Sequence, residues 1–382
     1  MTIKYSILIL RKLKFCSNNS NENVLLTYYC IKGYEDLITL KELAQMCGVS
    51  ASTISNILNG KPKVSEETRQ RVLEVVKQTG YQPNYFAQGM RKQKTRTIGI
   101  IVEDLSEFST TPIVEAVMAY CEDNNYRTIL LNMRLYDKWQ DTWYNDEKKL
   151  QSVLQPSIQE LLSIKVDGIM YVAGHCRVIN CFDDTFNTPA IVVYAISKSP
   201  RFSSVVIDDE KGGYDMTKYL ISMGHRKIGV IAGTADNLHT QKRSLGYQKA
   251  LFEDQILFNP DWIRYGNWFR QSGYNETEKL LKEGVTAIFC MNDTMAAGCY
   301  DYLYEQDIKI GQDISVVGYD NKEISEYLRP HLTTNDIGLS EIGKKSAEIL
   351  LKHIEEETEA DINSNIIRIP CRMVVRDSVR TI

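Results

Sequence analysis

The chain has 382 residues, 43% hydrophobic and 25% charged, with a formal net charge of −4. That length exceeds one ordinary domain, and no apolar run approaches the ~20 residues of a membrane-spanning helix. The charge is uneven: residues 38–96 hold ten Lys/Arg against four Asp/Glu, whereas residues 97–382 hold thirty against forty-two. A basic module on an acidic body suits a protein that meets nucleic acid with one end only.

Residues 1–37 show no fold logic. The apolar run 5–10 is too short for a secretory segment, and the basic cluster Arg11, Lys12 and Lys14 follows it instead of preceding it. This extension is expected to be disordered or to lie ahead of a true start at Leu37, with a functional basic arm as the other reading. Residues 38–59 predict two short helices with a sharp corner. Thr39 and Glu42 form a capping box, and Leu40, Leu43, Ala44 and Cys47 recur at helical spacing. Gly48 supplies the turn and Ser50 caps the second helix. Small polar side chains (Ser50, Ser52, Thr53, Ser55 and Asn56) fall between the apolar Val49, Ile54, Ile57 and Leu58. A major groove requires such an exposed face. After a turn at 59–62, Ser65-Glu66-Glu67 opens a third helix that carries Val72, Val75 and Val76 and stops at Thr79-Gly80. Residues 38–82 are therefore expected to be a small all-α helix-turn-helix DNA-binding headpiece. Residues 83–96 are expected to be a hinge and linker, with a helix from Tyr85 to about Arg91 too short to be stable alone.

From Thr97 the pattern alternates. β-rich runs at 97–102, 127–132, 168–172, 190–195, 205–207, 227–232, 262–265, 287–291, 314–319 and 366–375 are separated by helical stretches of 10–15 residues. Such alternation predicts doubly wound parallel sheets. The strands are too many for one open sheet, so residues 97–382 are expected to form an α/β two-lobed body with a cleft at the carboxyl ends of its strands. Nine cysteines without a CxxC pair read as reduced, buried thiols of a cytoplasmic protein. No metal or cofactor is expected.

At this point the strings themselves resemble a family. TLKELAQMCGVSASTISNILNG, VSEETRQRVLEVVKQTGYQPN and AQGMRKQKTRTIGII, followed in order by DDEKGGYDMTKYLISMGHRKIGVIAG, RSLGYQKAL, MNDTMAAG, ISVVGYDN and LRPHLTTND, resemble the lac repressor/galactose repressor family of bacterial regulators over roughly residues 38–380. The resemblance implies a homodimer on a double-stranded palindromic operator, with a periplasmic-binding-protein type I-like body. It implies DNA contacts from Thr39, Ser50, Ala51, Ser52, Thr53, Ser55, Asn56, Asn59, Tyr81, Asn84, Ala87 and Met90. The family's hinge pattern Ala-Arg-x-Leu stands here as Ala87-Gln88-Gly89-Met90, so Met90 becomes the apolar wedge for the minor groove and Gln88 removes a charge. It implies effector contacts from Arg243, Trp268, Asn292, Asp293 and Asp320. Asp104 and Phe108 are first-lobe candidates by their position past the first strand alone, in a segment that matches no family pattern. Asp293 reads equally as the cap of a helix 294–304.

Arginine donors, carboxylate acceptors and one tryptophan face suit a polyol. The expected function is thus a DNA-binding transcriptional repressor controlled by a sugar or sugar derivative in the cleft. The alternative is a catabolite-control-type regulator switched by a phosphocarrier protein. An α/β enzyme is the reading from another class, but no GxGxxG follows the first strand, no GxxxxGK[ST] occurs, and no catalytic constellation is apparent.

Overall fold

The computed structural model describes residues 38–58, 60–61, 64–81, 94–140, 144, 146–356 and 366–382. The extension 1–37 and hinge residues 83–93, with Asn59, Asn84, Ala87 and Met90, lie outside the described residues. The chain divides into two compact units, Met1–Arg91 and Lys92–Ile382.

In the smaller unit, α1 (Leu40–Met46), α2 (Ala51–Leu58) and α3 (Glu66–Thr79) follow one another. Thr39 and Glu42 exchange hydrogen bonds as a capping box. Gly48, at φ +62°, makes the corner into α2, a conformation that costs a residue with a Cβ. The Ser50 hydroxyl accepts from the Thr53 N–H at 3.1 Å, and Ser65 caps α3. Helices of seven and eight residues do not persist alone in water. Packing supplies the difference: Leu43, Ala44 and Cys47 of the first helix and corner meet Ile54, Ile57 and Val72, with Val75, Val76 and Tyr81 against them.

In the larger unit, β1 (Thr97–Val102), α4 (Thr110–Asp123), β2 (Arg127–Asn132), α5 (Glu147–Ser163), β3 (Gly168–Val172), β4 (Ala190–Val193) and β5 (Ser204–Ile207) build most of a first lobe. The chain enters a second lobe through α6 (Asp209–Ser222). There it forms β6 (Ile228–Ala232), α7 (Leu238–Glu253), β7 (Ile263–Tyr265), α8 (Arg270–Lys282), β8 (Ala287–Cys290), α9 (Asp293–Glu305) and β9 (Ser315–Val317). It returns through β10 (Thr334–Asp336), α10 (Leu339–Glu356), β11 (Ile366–Ile369) and β12 (Arg372–Val374).

The first sheet runs β11-β5-β4-β3-β1-β2 and the second β9-β8-β6-β7. Every pairing in both is parallel. Helices cover both faces, so the central strands are apolar throughout instead of alternating; all six residues of β1 and all five of β3 and of β6 are buried. β10 and β12 pair antiparallel where the chain passes between lobes. The three-residue β10, the two-residue strands Val178–Ile179 and Ile196–Ser197 and the short helix Leu135–Trp139 carry no periodic signal and were not expected. Trp262 ends a 3-10 turn, Pro260–Trp262, so the expected strand 262–265 starts one residue late. Among the described residues no helix is long and apolar enough to cross a membrane.

Candidate functional site

Polar side chains gather at the carboxyl ends of β1, β3 and β4 in the first lobe and of β6, β8 and β9 in the second. Arg243 is central. It lies on α7, which packs very close to α6: a Cβ on Gly213 would fall 2.4 Å from the Arg243 carbonyl oxygen, and one on Gly246 2.1 Å from that of Glu210. This pair of glycines sets Arg243 beside Asp209, the first residue of α6. Arg243 is 2% exposed. Its Nε donates to Asp209 Oδ1 at 2.7 Å, its Nη1 donates to the Met291 carbonyl, and Asp320 Oδ1 stands 3.9 Å from Nη1. The guanidinium lies over the Tyr319 ring at 3.7 Å and faces Trp268 at 5.9 Å. The other oxygen of Asp209 meets His239 Nδ1 at 2.7 Å, and His239 Nε2 accepts from the Cys176 N–H of the first lobe at 3.4 Å.

Burial pushes the Asp209 carboxyl up, but His239 and Arg243 outweigh it and hold it below the usual range. Burial pulls the Arg243 guanidinium down, and Asp209, Tyr319 and Asp320 more than reverse that. Asp320 stands farther from Arg243 and its carboxyl stays raised, chiefly by burial, against the lowering by Lys322 and Arg243. Its backbone has φ +106°, and Asn321 (+51°), Trp268 (+73°) and Tyr194 (+63°) are also left-handed non-glycines at strand ends in the cleft. The Trp268 ring packs on Gly233, where a Cβ would come within 2.0 Å of it.

Two expected effector contacts are engaged inside the protein. Asn292, not Asp293, is the N-cap of α9: its carbonyl oxygen accepts from the Met295 N–H at 2.7 Å and its amide donates to the Trp268 carbonyl at 3.0 Å. Asn292 is extended (φ −154°) while Asp293 is already helical, so the capping geometry belongs to the earlier residue. The Asp293 carboxylate accepts from Thr334 Oγ1 at 2.6 Å and from the Lys322 N–H at 2.7 Å. Burial and the neighbouring Asp320 charge push it up to about 8.

In the first lobe, Asp104 accepts from the Tyr136 N–H at 2.7 Å and from Ser106 Oγ at 3.2 Å. It lines a small polar depression with Glu103, Glu107, Tyr136, Tyr144, Gly174 and His175. Phe108 lies under the Lys322 ammonium. The floor is a buried ion pair: Arg177 reaches both Glu103 oxygens, at 2.5 and 3.2 Å, and Glu103 also accepts from Tyr171 and from the Gly174 N–H.

The residues that sequence reasoning missed are Asp209, His239, Tyr194, Tyr319, Lys322, Glu103 and Arg177. One signal was available: His239 and Arg243 are four apart on a helix and so share a face.

In the smaller unit, Ser52 is exposed at the start of α2, and Ala51, Thr53, Ser55 and Asn56 are partly exposed along it. Ser50 Oγ is engaged with Ser52 Oγ at 2.7 Å and Thr53 Oγ1 at 2.8 Å. Thr39 is engaged in its capping box, and Tyr81 packs on the core.

Residues 39–84 match bacterial regulatory proteins of the lacI family, and residues 217–379 match a periplasmic binding protein-like domain. The ribose operon repressor of Haemophilus influenzae is 32% identical over 345 residues, spanning 90% of this chain and 99% of that protein. The HTH-type transcriptional repressor PurR of Vibrio parahaemolyticus is 31% identical over 349 residues, spanning 90% and 99%. Among solved structures, the lac repressor dimer bound to operator and the anti-inducer ONPF matches with a TM-score of 0.72 at 26% identity, over 90% of this chain and 100% of that one.

Proposed function

The chain belongs to the lacI family of bacterial regulatory proteins, DNA-binding transcriptional repressors, and on that premise we propose that a sugar or sugar derivative in the interlobe cleft sets its affinity for operator DNA. The observation that carries this reading is the state of Arg243. Of its five N–H donors, Asp209 and the Met291 carbonyl take two. Nη1, which keeps one donor free, stands 3.9 Å from the Asp320 carboxylate, and the guanidinium faces the Trp268 ring. A hydroxyl both accepts and donates, so neighbouring hydroxyls on a sugar ring satisfy arginine and aspartate together while an apolar ring face stacks on tryptophan. In this reading Arg243, Trp268 and Asp320 touch the effector, Asp104 is the first-lobe acceptor, and Asn292 and Asp293 hold Trp268 and the Asp320 loop from behind.

The same reading places the chain in the bacterial cytoplasm as a homodimer, one headpiece on each half of a palindrome. The start of α2 (Ser50, Ala51, Ser52 and Thr53, with Ser55 and Asn56) enters the major groove. Ser50 acts there mainly as the cap that fixes the helix end, and phosphate contacts supply most of the salt-sensitive affinity.

Thermal unfolding of the full chain against D-ribose, D-galactose, D-glucose, lactose, cellobiose, hypoxanthine and guanine tests the effector class. At a hundredfold excess over Kd a ligand stabilises by about 2.7 kcal/mol, which is readily seen. A shift with a sugar that is lost in Trp268→Leu supports the reading, whereas a shift with a purine alone refutes it.

A further inference from the structure

The loop after β9 is held in a conformation that a free chain would leave. Asp320 and Asn321 both have positive φ. The Asp320 N–H donates to the Asn335 carbonyl at 2.9 Å, Asn321 Oδ1 accepts from Arg376 Nη2 at 2.9 Å, and the Lys322 N–H donates to Asp293. These bonds fix the Lys322 backbone and leave its side chain to reach outward. Its ammonium sits 3.8 Å from the centre of the Phe108 ring, 3.5 Å from Asp320 Oδ2 and 3.4 Å from Thr294 Oγ1. Phe108 belongs to the first lobe, in the loop between β1 and α4, and is 41% exposed. Asp320, Thr294 and Lys322 belong to the second. The negative face of an aromatic ring attracts a cation placed over it.

We infer that Lys322 is a positioning residue of the cleft, clasping the second lobe to the first by setting its ammonium on the Phe108 ring while it orients Asp320. This rests on the effector reading of that cleft. The ammonium is shared between the Asp320 carboxylate and the ring. A ligand hydroxyl that donates to Asp320 draws off part of the carboxylate's charge, and the ammonium then interacts more strongly with Phe108. Occupancy of the second lobe is thereby coupled to closure onto the first. A compact ammonium suits this division better than a guanidinium, whose planar fork would engage the carboxylate with two bonds.

Amide hydrogen exchange of the full chain, with no small molecule added, tests the clasp. Phe108→Leu keeps an apolar side chain and removes chiefly the cation–ring attraction; Lys322→Met keeps the stem and removes that attraction together with the contacts to Asp320 and Thr294. Each is expected to speed exchange in residues 105–111 and 320–328 by about 2- to 30-fold. The double variant should be no faster than the faster single one, and Phe108→Tyr should stay at the wild-type rate. Wild-type rates in either single variant, multiplying effects in the double variant, or equal acceleration in residues 40–79 would overturn the inference. Because the measurement contains no effector, its failure leaves the effector reading intact, and a ligand panel without a sugar response leaves the clasp intact.

Discussion

Asp209→Ala is the substitution on which the description of the cleft depends most. It removes a carboxylate that is 4% exposed and accepts from Arg243 and His239, each at 2.7 Å. The guanidinium left behind is almost wholly buried, and its next carboxylate is 3.9 Å away. Breaking a buried pair by removing one partner costs about 3–5 kcal/mol. Asp320 remains as a partial partner, so the lower end, about 3 kcal/mol, is expected. Arg243→Met removes the charge at similar length and leaves Asp209 with His239, so a smaller loss of about 1–2 kcal/mol is expected. In the double variant neither charge is stranded, and its loss should fall short of the sum by about 2 kcal/mol. Urea unfolding at pH 7 followed by tryptophan fluorescence measures this cycle. All four tryptophans (139, 143, 262 and 268) lie in the larger unit, so the signal reports that unit alone. Losses that add to within about 0.5 kcal/mol, or a cost below about 1 kcal/mol for Asp209→Ala, would refute the account of Arg243 as a charge held by Asp209.

Asp293 and Asp320 predict a pH dependence of the same unit. Both carboxyls are raised, Asp293 to about 8, so between the ordinary carboxylate value and about pH 8 the folded protein holds protons that the unfolded chain has released. Stability should therefore fall as pH rises from 5 to 8 and level off above that; Asp293→Asn should flatten the profile of Tm against pH, and an unchanged slope would count against it. In the headpiece, Ser50→Ala removes the cap on α2 and should cost about 1 kcal/mol of that unit's stability, seen as faster amide exchange across residues 40–79 with the larger unit unaffected. Ser50→Asp, which keeps an acceptor at the helix start, should restore it.

How much of this was legible in the sequence depends on the range of the forces involved. The helical corner at Gly48 and the caps at Thr39, Ser50 and Ser65 were readable because each is settled within four residues. The parallel strands were readable because burial on both faces leaves uninterrupted apolar runs. The partnership of Arg243 with Asp209 was not, although the glycines that permit it, Gly213 and Gly246, stand in plain sight. Their meaning appears only when α6 and α7 touch. Asn292, Asp293 and Asp320 all follow strands and look alike in sequence. The fold separates them by what comes to each from elsewhere: the Lys322 N–H and Thr334 hydroxyl occupy Asp293, the end of α9 occupies Asn292, and Asp320 keeps its face toward Arg243. The position of Phe108 past the first strand makes it a candidate for the ligand. That its ring carries an ammonium from the opposite lobe is a contact that no local pattern encodes.

The positive-φ residues show why these particular side chains form a site. Several of the non-glycine examples, such as Asn125, Lys165, Gln255 and Asp307, follow helix ends, where a left-handed residue commonly terminates the helix. Tyr194, Trp268, Asp320 and Asn321 do not. They stand past strand ends around Arg243, where each such conformation costs on the order of 1–3 kcal/mol and must be imposed by neighbours. The neighbours are identifiable: the Asn292 amide holds the Trp268 carbonyl, the Asn335 carbonyl holds the Asp320 N–H, and Arg376 holds Asn321. The strain is thus offset during folding by bonds that a ligand need not break or make. On the proposed reading a ligand would meet an arginine, a carboxylate and a ring already oriented, and its binding energy would go into bringing the two lobes together instead of ordering the site. That division of labour is what a switch requires, since a ligand shifts an equilibrium only by the difference in its affinity for the two states.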